Sequence, residues 1–275
     1  MTTADNSPTG LIAQLAETWG ATAEVCWGPT PAQWRLPTAC PGWSVKDQVV
    51  HIIGTESMLA GLPTPDVAPS DAPHVRNDIG KFNEAWITAR LGASGEEILD
   101  ELESVTASRL EALRAMPEEA WEEPSWTPVG QAPYRRFMQI RVFDCWAHEM
   151  DIKDALDPPA APSAGQAAEQ AVDEVERALG LLIGKRAAAP AGARVTLALT
   201  GPVHRDIHVA VNGRASVVDE LDSPARVVLR MSSLDLLRLG CGRRDPVVAV
   251  RDGDIGIAGD TELGERILAH LPFTI

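Results

Sequence analysis

Ten residues near the middle of the chain, DPPAAPSAGQ from Asp157 to Gln166, do most to limit what it can fold into. Proline lacks an amide hydrogen and clashes with the preceding helical turn, so no helix runs through this stretch, and its Pro, Ala and Ser content is that of a linker. The sequence changes character across it. All eight tryptophans lie between Trp19 and Trp146, whereas the second half alternates short apolar runs with turn residues. At 275 residues the chain has the length for two modest domains, each with its own core. We therefore expect one domain over residues 1–157, a linker over 158–165 and a second domain over 166–275.

The first half has helical periodicity. Leu11, Leu15, Ala16, Trp19 and Ala23 share a face, and Ser44 with Asp47 three residues later reads as a capping-box start for a helix running to about Leu62. Further patterns cover Asn77 to Leu91, Ser94 to Met116, and roughly Tyr134 to Leu156. Long helices in this number suit an up-and-down four-helix bundle, with one pattern as a shorter accessory segment. The second half begins with a helix over about 167–183. Strand-like VTLAL and DIHVAV follow, then a hairpin turn at Asn212-Gly213 into Arg214 to Val218. A strand at Val227 to Met231, a helix ending near Gly240, a strand at Val247 to Val250 and a helix from Thr261 to Leu271 complete an α+β pattern.

The formal net charge of −15, without a Lys/Arg run, argues against nucleic acid and anionic membranes as partners. The start MTTADNSPTG has neither the basic residues nor the apolar stretch of a signal peptide, and no apolar run has membrane-spanning length. A cytoplasmic location is expected. Cys26, Cys40, Cys145 and Cys241 have no CxxC spacing and read as buried free thiols. Lysine occurs only at positions 46, 81, 153 and 185, a bias that points to a GC-rich genome.

Candidate chemistry sits in RVFDCWAHEMDIKDAL. At 100° per residue, Asp144, His148 and Asp151 fall on one face of a helix whose other faces are apolar, so the helix should be largely buried. Buried carboxylates and imidazoles need partners. A metal ion is one; an Asp144–His148 hydrogen bond or an Arg141 salt bridge is the simpler reading, and pattern alone favours it. HEMDI does not complete HExxH, which excludes a zincin-type protease. His51 has Asp47, Gln48 and Thr55 beside it and the apolar residues of its helix on the far side, the pattern of a surface or interface histidine. His204 and His208 lie on a strand pattern that points to a solvated face, and no phosphate loop, GxSxG elbow or dinucleotide fingerprint is present.

PTACPGWSVKDQVVHIIGTE, from Pro37 to Glu56, and RVFDCWAHEMDI together resemble the mycothiol-dependent maleylpyruvate isomerase family. The C-terminal LDLLRLGCGRRDP and VVAVRDGDIGIAGDTELGERILAHL are similar to that family's smaller domain, so the resemblance spans nearly the whole chain. It implies a DinB-like four-helix bundle followed by a sterol-carrier-like α+β domain, with His51, Asp144 and His148 as the metal ligands. Where the archetypal isomerase has a Glu ligand this chain has Asp144, one methylene shorter.

Two imidazoles and a carboxylate form a catalytic-type set that suits zinc and leaves a position open. The resemblance further implies mycothiol as thiol cosubstrate, an electrophilic small molecule as the other partner, and an isomerase or S-transferase as the enzyme, with no catalytic residue beyond the metal site. Asp151 is placed to orient His148 from behind. Arg243 and Arg244, after Gly240, are candidates for holding an acidic substrate. A metal-dependent hydrolase and a non-catalytic ligand-binding module are the alternatives.

Overall fold

The starts of several helices follow from local chemistry. Ser7 accepts a hydrogen bond from the Gly10 amide, and Pro8 occupies the first turn of α1, Pro8–Val25. Ser44 and Asp47 form a reciprocal capping box that opens α2, Val45–Leu59. The next helices are α3, Asp78–Ala89, and α4, Gly95–Ala115, the latter opened by a second capping box between Ser94 and Glu97. A short hairpin, β1 Pro124–Thr127 and β2 Gly130–Pro133, leads into α5, Tyr134–Leu156. The computed structural model describes residues 4–68, 70–157, 161 and 163–274.

The chain divides into two compact units. One is Asn6–Ala161; the other is the remaining C-terminal part, joined by the described residues Ala4 and Asp5. The expected linker at 158–165 includes residues 158–160 and 162, which lie outside the described residues.

In the first unit α1 packs on α5 and α4, and α2 on α4 and α5, which makes a four-helix bundle; α3 is the accessory helix, laid against α2. Leu11, Leu15, Val49, Ile52, Ile53, Ile98, Leu102, Leu113, Met138 and Ile152 form its core. The α2–α3 approach depends on Gly54, because a Cβ there would lie 2.6 Å from Trp86 Cγ. Gly54→Ala should therefore lower the unfolding free energy by about 1–3 kcal/mol through overpacking, read from the urea midpoint.

The second unit opens with α6, Gln166–Leu181, continued by a wider turn over Leu182–Arg186. A five-stranded mixed sheet has the order β5-β4-β3-β6-β7, with β3 Arg194–Thr200, β4 Arg205–Asn212, β5 Arg214–Val218, β6 Val227–Ser232 and β7 Gly256–Gly259. β3 runs antiparallel to β4 and parallel to β6, so Leu197 faces Ile207 on one side and Leu229 on the other. These residues are buried on a face covered by α6, α7 (Ser233–Gly240) and α9 (Thr261–Ala269).

One expected strand is a helix. Residues 247–250 lie in α8, Pro246–Arg251, because Asp245 accepts hydrogen bonds from the Val247 and Val248 amides and Pro246 takes the first helical position. That cap overrides the β-branched run. The edge strand is instead β7, whose short GIAG sequence carries little strand signal. Among the described residues no helix is long and apolar enough to cross a membrane.

A candidate metal centre in the helical unit

Two polar stripes meet inside the bundle. On α2, Gln48, His51 and Thr55 share a face; on α5, Asp144, His148 and Asp151 do. The α2 stripe alone reads as a surface or interface, whereas the α5 stripe lies on a helix that reads as buried. Facing each other, they are largely buried, and His51 is only 8% exposed, which corrects the expectation of a histidine on the surface or at a domain interface: it lies within the helical unit. Periodicity within one helix carries no information about which stripe of another helix it will meet.

The stripes interlock at Asp144. His51 Nε2 lies 2.9 Å from Asp144 Oδ2, and His148 Nε2 lies 3.5 Å from Asp144 Oδ1. The two imidazoles meet edge to face with centroids 4.6 Å apart. One candidate ligand atom from each of His51, Asp144 and His148 lies within 4.8 Å of the others. Bonds of about 2.1 Å in tetrahedral geometry place ligand atoms about 3.4 Å apart, so this donor set fits a divalent ion with small adjustments. The Nδ1 atoms of both histidines are buried with no hydrogen-bond partner among the described residues. Asp151 Oδ2 is 3.7 Å from His148 Nδ1 and accepts from Gln48 Nε2 at 3.4 Å, which places it behind His148.

Trp43 walls the centre, its ring 5.2 Å from His51 and 5.7 Å from His148. The Pro41-Gly42 turn sets it there. Gly42 has φ +85°, and a Cβ on it would meet His74 Nδ1 at 2.2 Å, so both backbone and space demand glycine. Trp43 Nε1 donates to Glu84 Oε1 at 3.0 Å, and His74 Nε2 lies 2.8 Å from the same oxygen. The Asp144 side chain, 29% exposed, is the open edge of the site.

Beneath the centre lies a charged network that sequence reasoning did not find. Glu56 is fully buried and accepts from Arg141 Nε at 2.9 Å and Arg109 Nε at 3.1 Å. Arg141 also donates to Asp144 Oδ2 through Nη1 and to Cys145 Sγ through Nη2 at 3.3 Å. Arg109 Nη2 donates to the Tyr134 hydroxyl at 2.7 Å. The Arg141 salt bridge and the Asp144–His148 contact thus both exist beside the candidate centre; a carboxylate with two oxygens and several lone pairs serves them together.

Electrostatics differ sharply among the three side chains. Burial would raise the Asp144 pKa, but the charges of His51, Arg141 and His148 outweigh it and hold the carboxyl well below its ordinary range. Burial lowers His51, with partial offset from Asp144. Burial would also lower His148, yet Asp144 and Asp151 together raise it. Burial pushes the Cys145 thiol up to about 12, so it stays protonated and unreactive.

Arg243 and Arg244 are in the other unit. Arg244 pairs with both Asp235 and Asp254, and Arg243 Nη1 donates to the Cys241 carbonyl at 2.9 Å. The structure does not bring them to the three-residue cluster within a common unit.

Known proteins share this architecture. The family model described as the mycothiol maleylpyruvate isomerase N-terminal domain matches residues 15–153, and the MDMPI C-terminal domain matches residues 169–266. Two uncharacterized proteins from strains of Mycobacterium tuberculosis are 28% identical over 130 residues, covering 45% of this chain and 48% of theirs. The chain thus matches about half the length of these curated relatives. A crystal structure of the mycothiol-dependent maleylpyruvate isomerase superposes with a TM-score of 0.60 at 15% identity, covering 94% of this chain and 96% of that one. A histidine-to-alanine mutant of that enzyme gives 0.57 with the same identity and coverage. At such identity the likeness is one of fold.

Proposed function

The chain belongs to the mycothiol maleylpyruvate isomerase family, and on that premise we propose that it is a metal-dependent enzyme that uses a low-molecular-weight thiol, mycothiol, against an electrophilic small molecule. The observation that carries this reading is the convergence of His51, Asp144 and His148 from two helices on one partly open point.

These three residues would hold the ion, with zinc best suited to two imidazoles and a carboxylate. When bound, a divalent ion there supplies the positive charge that favours the thiolate form of an adjacent thiol. The protein's own residues do the remainder. Trp43 covers both imidazoles and keeps water from that side, while the exposed edge of Asp144 leaves an approach for substrates. Asp151, whose Oδ2 lies 3.7 Å from His148 Nδ1, is the carboxylate that would orient that imidazole once the gap closes to a hydrogen bond. The thiol sulfur bonds to one carbon of a conjugated double bond, the remaining single bond rotates, and elimination breaks the carbon–sulfur bond and restores the thiol. Release of the adduct before elimination makes the same site an S-transferase. Arg243 and Arg244 stay candidates for an acidic substrate group, Arg244 with its charge already balanced by two carboxylates.

The reading is tested by incubating metal-loaded protein with mycothiol and maleylpyruvate. Conversion of the cis to the trans isomer with mycothiol conserved is expected of an isomerase, and accumulation of a thioether of a transferase. Turnover that proceeds without any thiol would contradict the proposal and favour a hydrolase.

The electrostatics add a pH prediction. His148 ligates only when unprotonated, and Asp144 and Asp151 raise its pKa above the ordinary imidazole value, whereas burial lowers His51 and the neighbouring cationic groups lower Asp144. Metal binding should therefore release a proton from His148 wherever that imidazole is still charged. Affinity should rise with pH until His148 has lost its proton and then level off. Chelator competition across pH measures this slope, and a slope of zero through that range contradicts the assignment of His148.

A further inference from the structure

We propose that Arg141 is a positioning residue for the carboxylate of the metal centre: held from behind by Glu56, it occupies one oxygen of Asp144 and leaves the other to the ion. The inference rests on the metal reading of His51, Asp144 and His148.

The geometry carries it. Arg141 is 2% exposed, and its guanidinium is fixed at three separate points: Nε on Glu56, Nη1 on Asp144 Oδ2, and Nη2 on Cys145 Sγ. A planar group held at three points cannot swing, so the direction of its bond to Asp144 is set by the core of the bundle. Glu56 is fixed in turn, since its second oxygen accepts from Arg109. The chain of contacts runs from Tyr134 on α5 through Arg109 on α4 and Glu56 on α2 back to Arg141 and Asp144 on α5. It therefore ties the two helices that carry the centre, α2 and α5, to α4.

Such a buried Arg–Glu–Arg arrangement is a poor way to gain stability, because well-packed apolar side chains of similar volume do as well or better. What apolar residues cannot do is fix the orientation of a carboxylate. Asp144 needs this, because His51 also lies against Oδ2, the oxygen on which Arg141 donates, while His148 lies nearest Oδ1. By engaging Oδ2, Arg141 turns Oδ1 toward the side on which His148 waits.

The test is cobalt(II) affinity of the metal-free protein by chelator competition, with the visible spectrum of the cobalt site as a second readout. Arg141→Lys keeps the charge but loses the fork, and Arg141→Met loses both. Each should bind cobalt about 10- to 100-fold more weakly, with a changed d–d band. In the Asp144→Ala background the same substitutions should change affinity by less than about twofold, since Arg141 acts through Asp144 alone. If Arg141→Met does not fold, Arg141→Lys carries the test. Unchanged affinity and spectrum in a folded Arg141→Lys would overturn the proposal, as would an equal loss in the presence and absence of Asp144, which marks a structural role. Absence of cobalt binding by the unsubstituted protein would overturn the metal reading itself, and this inference with it.

Discussion

His148→Ala should purify without its divalent metal, with affinity reduced by more than about 100-fold, beyond what loss of a supporting hydrogen bond costs, and thiol-dependent turnover should fall with it. The helix bearing His148 should survive. α5 buries Met138, Val142, Cys145, Trp146, Met150 and Ile152, and that apolar burial remains when the imidazole is removed. Far-UV circular dichroism of the variant should match that of the parent. His51→Ala and Asp144→Ala should behave alike, because the three ligand atoms converge on one point. Full metal content in all three variants would dispose of the centre.

Glu56→Ala should destabilise the helical unit by about 3–5 kcal/mol, the cost of leaving buried charge without its partner. Arg109 and Arg141, 3% and 2% exposed, would then face each other in the core across the space of the missing carboxylate. Glu56→Gln should cost less, because the amide oxygen still accepts one guanidinium hydrogen bond. Tryptophan fluorescence reports on this unit alone, since all eight tryptophans lie within Asn6–Ala161. Urea unfolding followed by that signal should show the shift without interference from the second unit. A loss below about 1 kcal/mol would mean that the two guanidinium groups find other partners or water.

Helix positions were legible from the sequence because caps and periodicity act locally. Ser44 and Asp47 announce α2, and the apolar circumference of 134–156 announces a buried α5. The β-branched run at 247–250 misled because Asp245 and Pro246, two residues outside it, decide the conformation. β7 was missed because Gly256 and Gly259 carry no strand signal; it is held by its pairing to β6.

The candidate site was legible only in part. Asp144 and His148 stand out on a single helix, but the polar stripe holding His51 reads as a surface until α5 is laid against it. The residue came from the family resemblance, not from its own pattern. Glu56, Arg109 and Arg141 belong to three helices and are separated by 53 and 85 positions from Glu56, so nothing in the spacing pairs them. Their one advance signal was Arg141, a charged residue on a helix otherwise fit for burial.

Titration of the cobalt-substituted protein with mycothiol and with glutathione examines the metal and the thiol together. The sulfur of mycothiol should produce a sulfur-to-cobalt charge-transfer absorption, absent in the His148→Ala protein, and on the proposed function should do so at lower concentration than glutathione, a discrimination that comes from hydrogen-bonding groups which the wrong thiol leaves unpaired. A cobalt spectrum that responds to neither thiol would contradict the account.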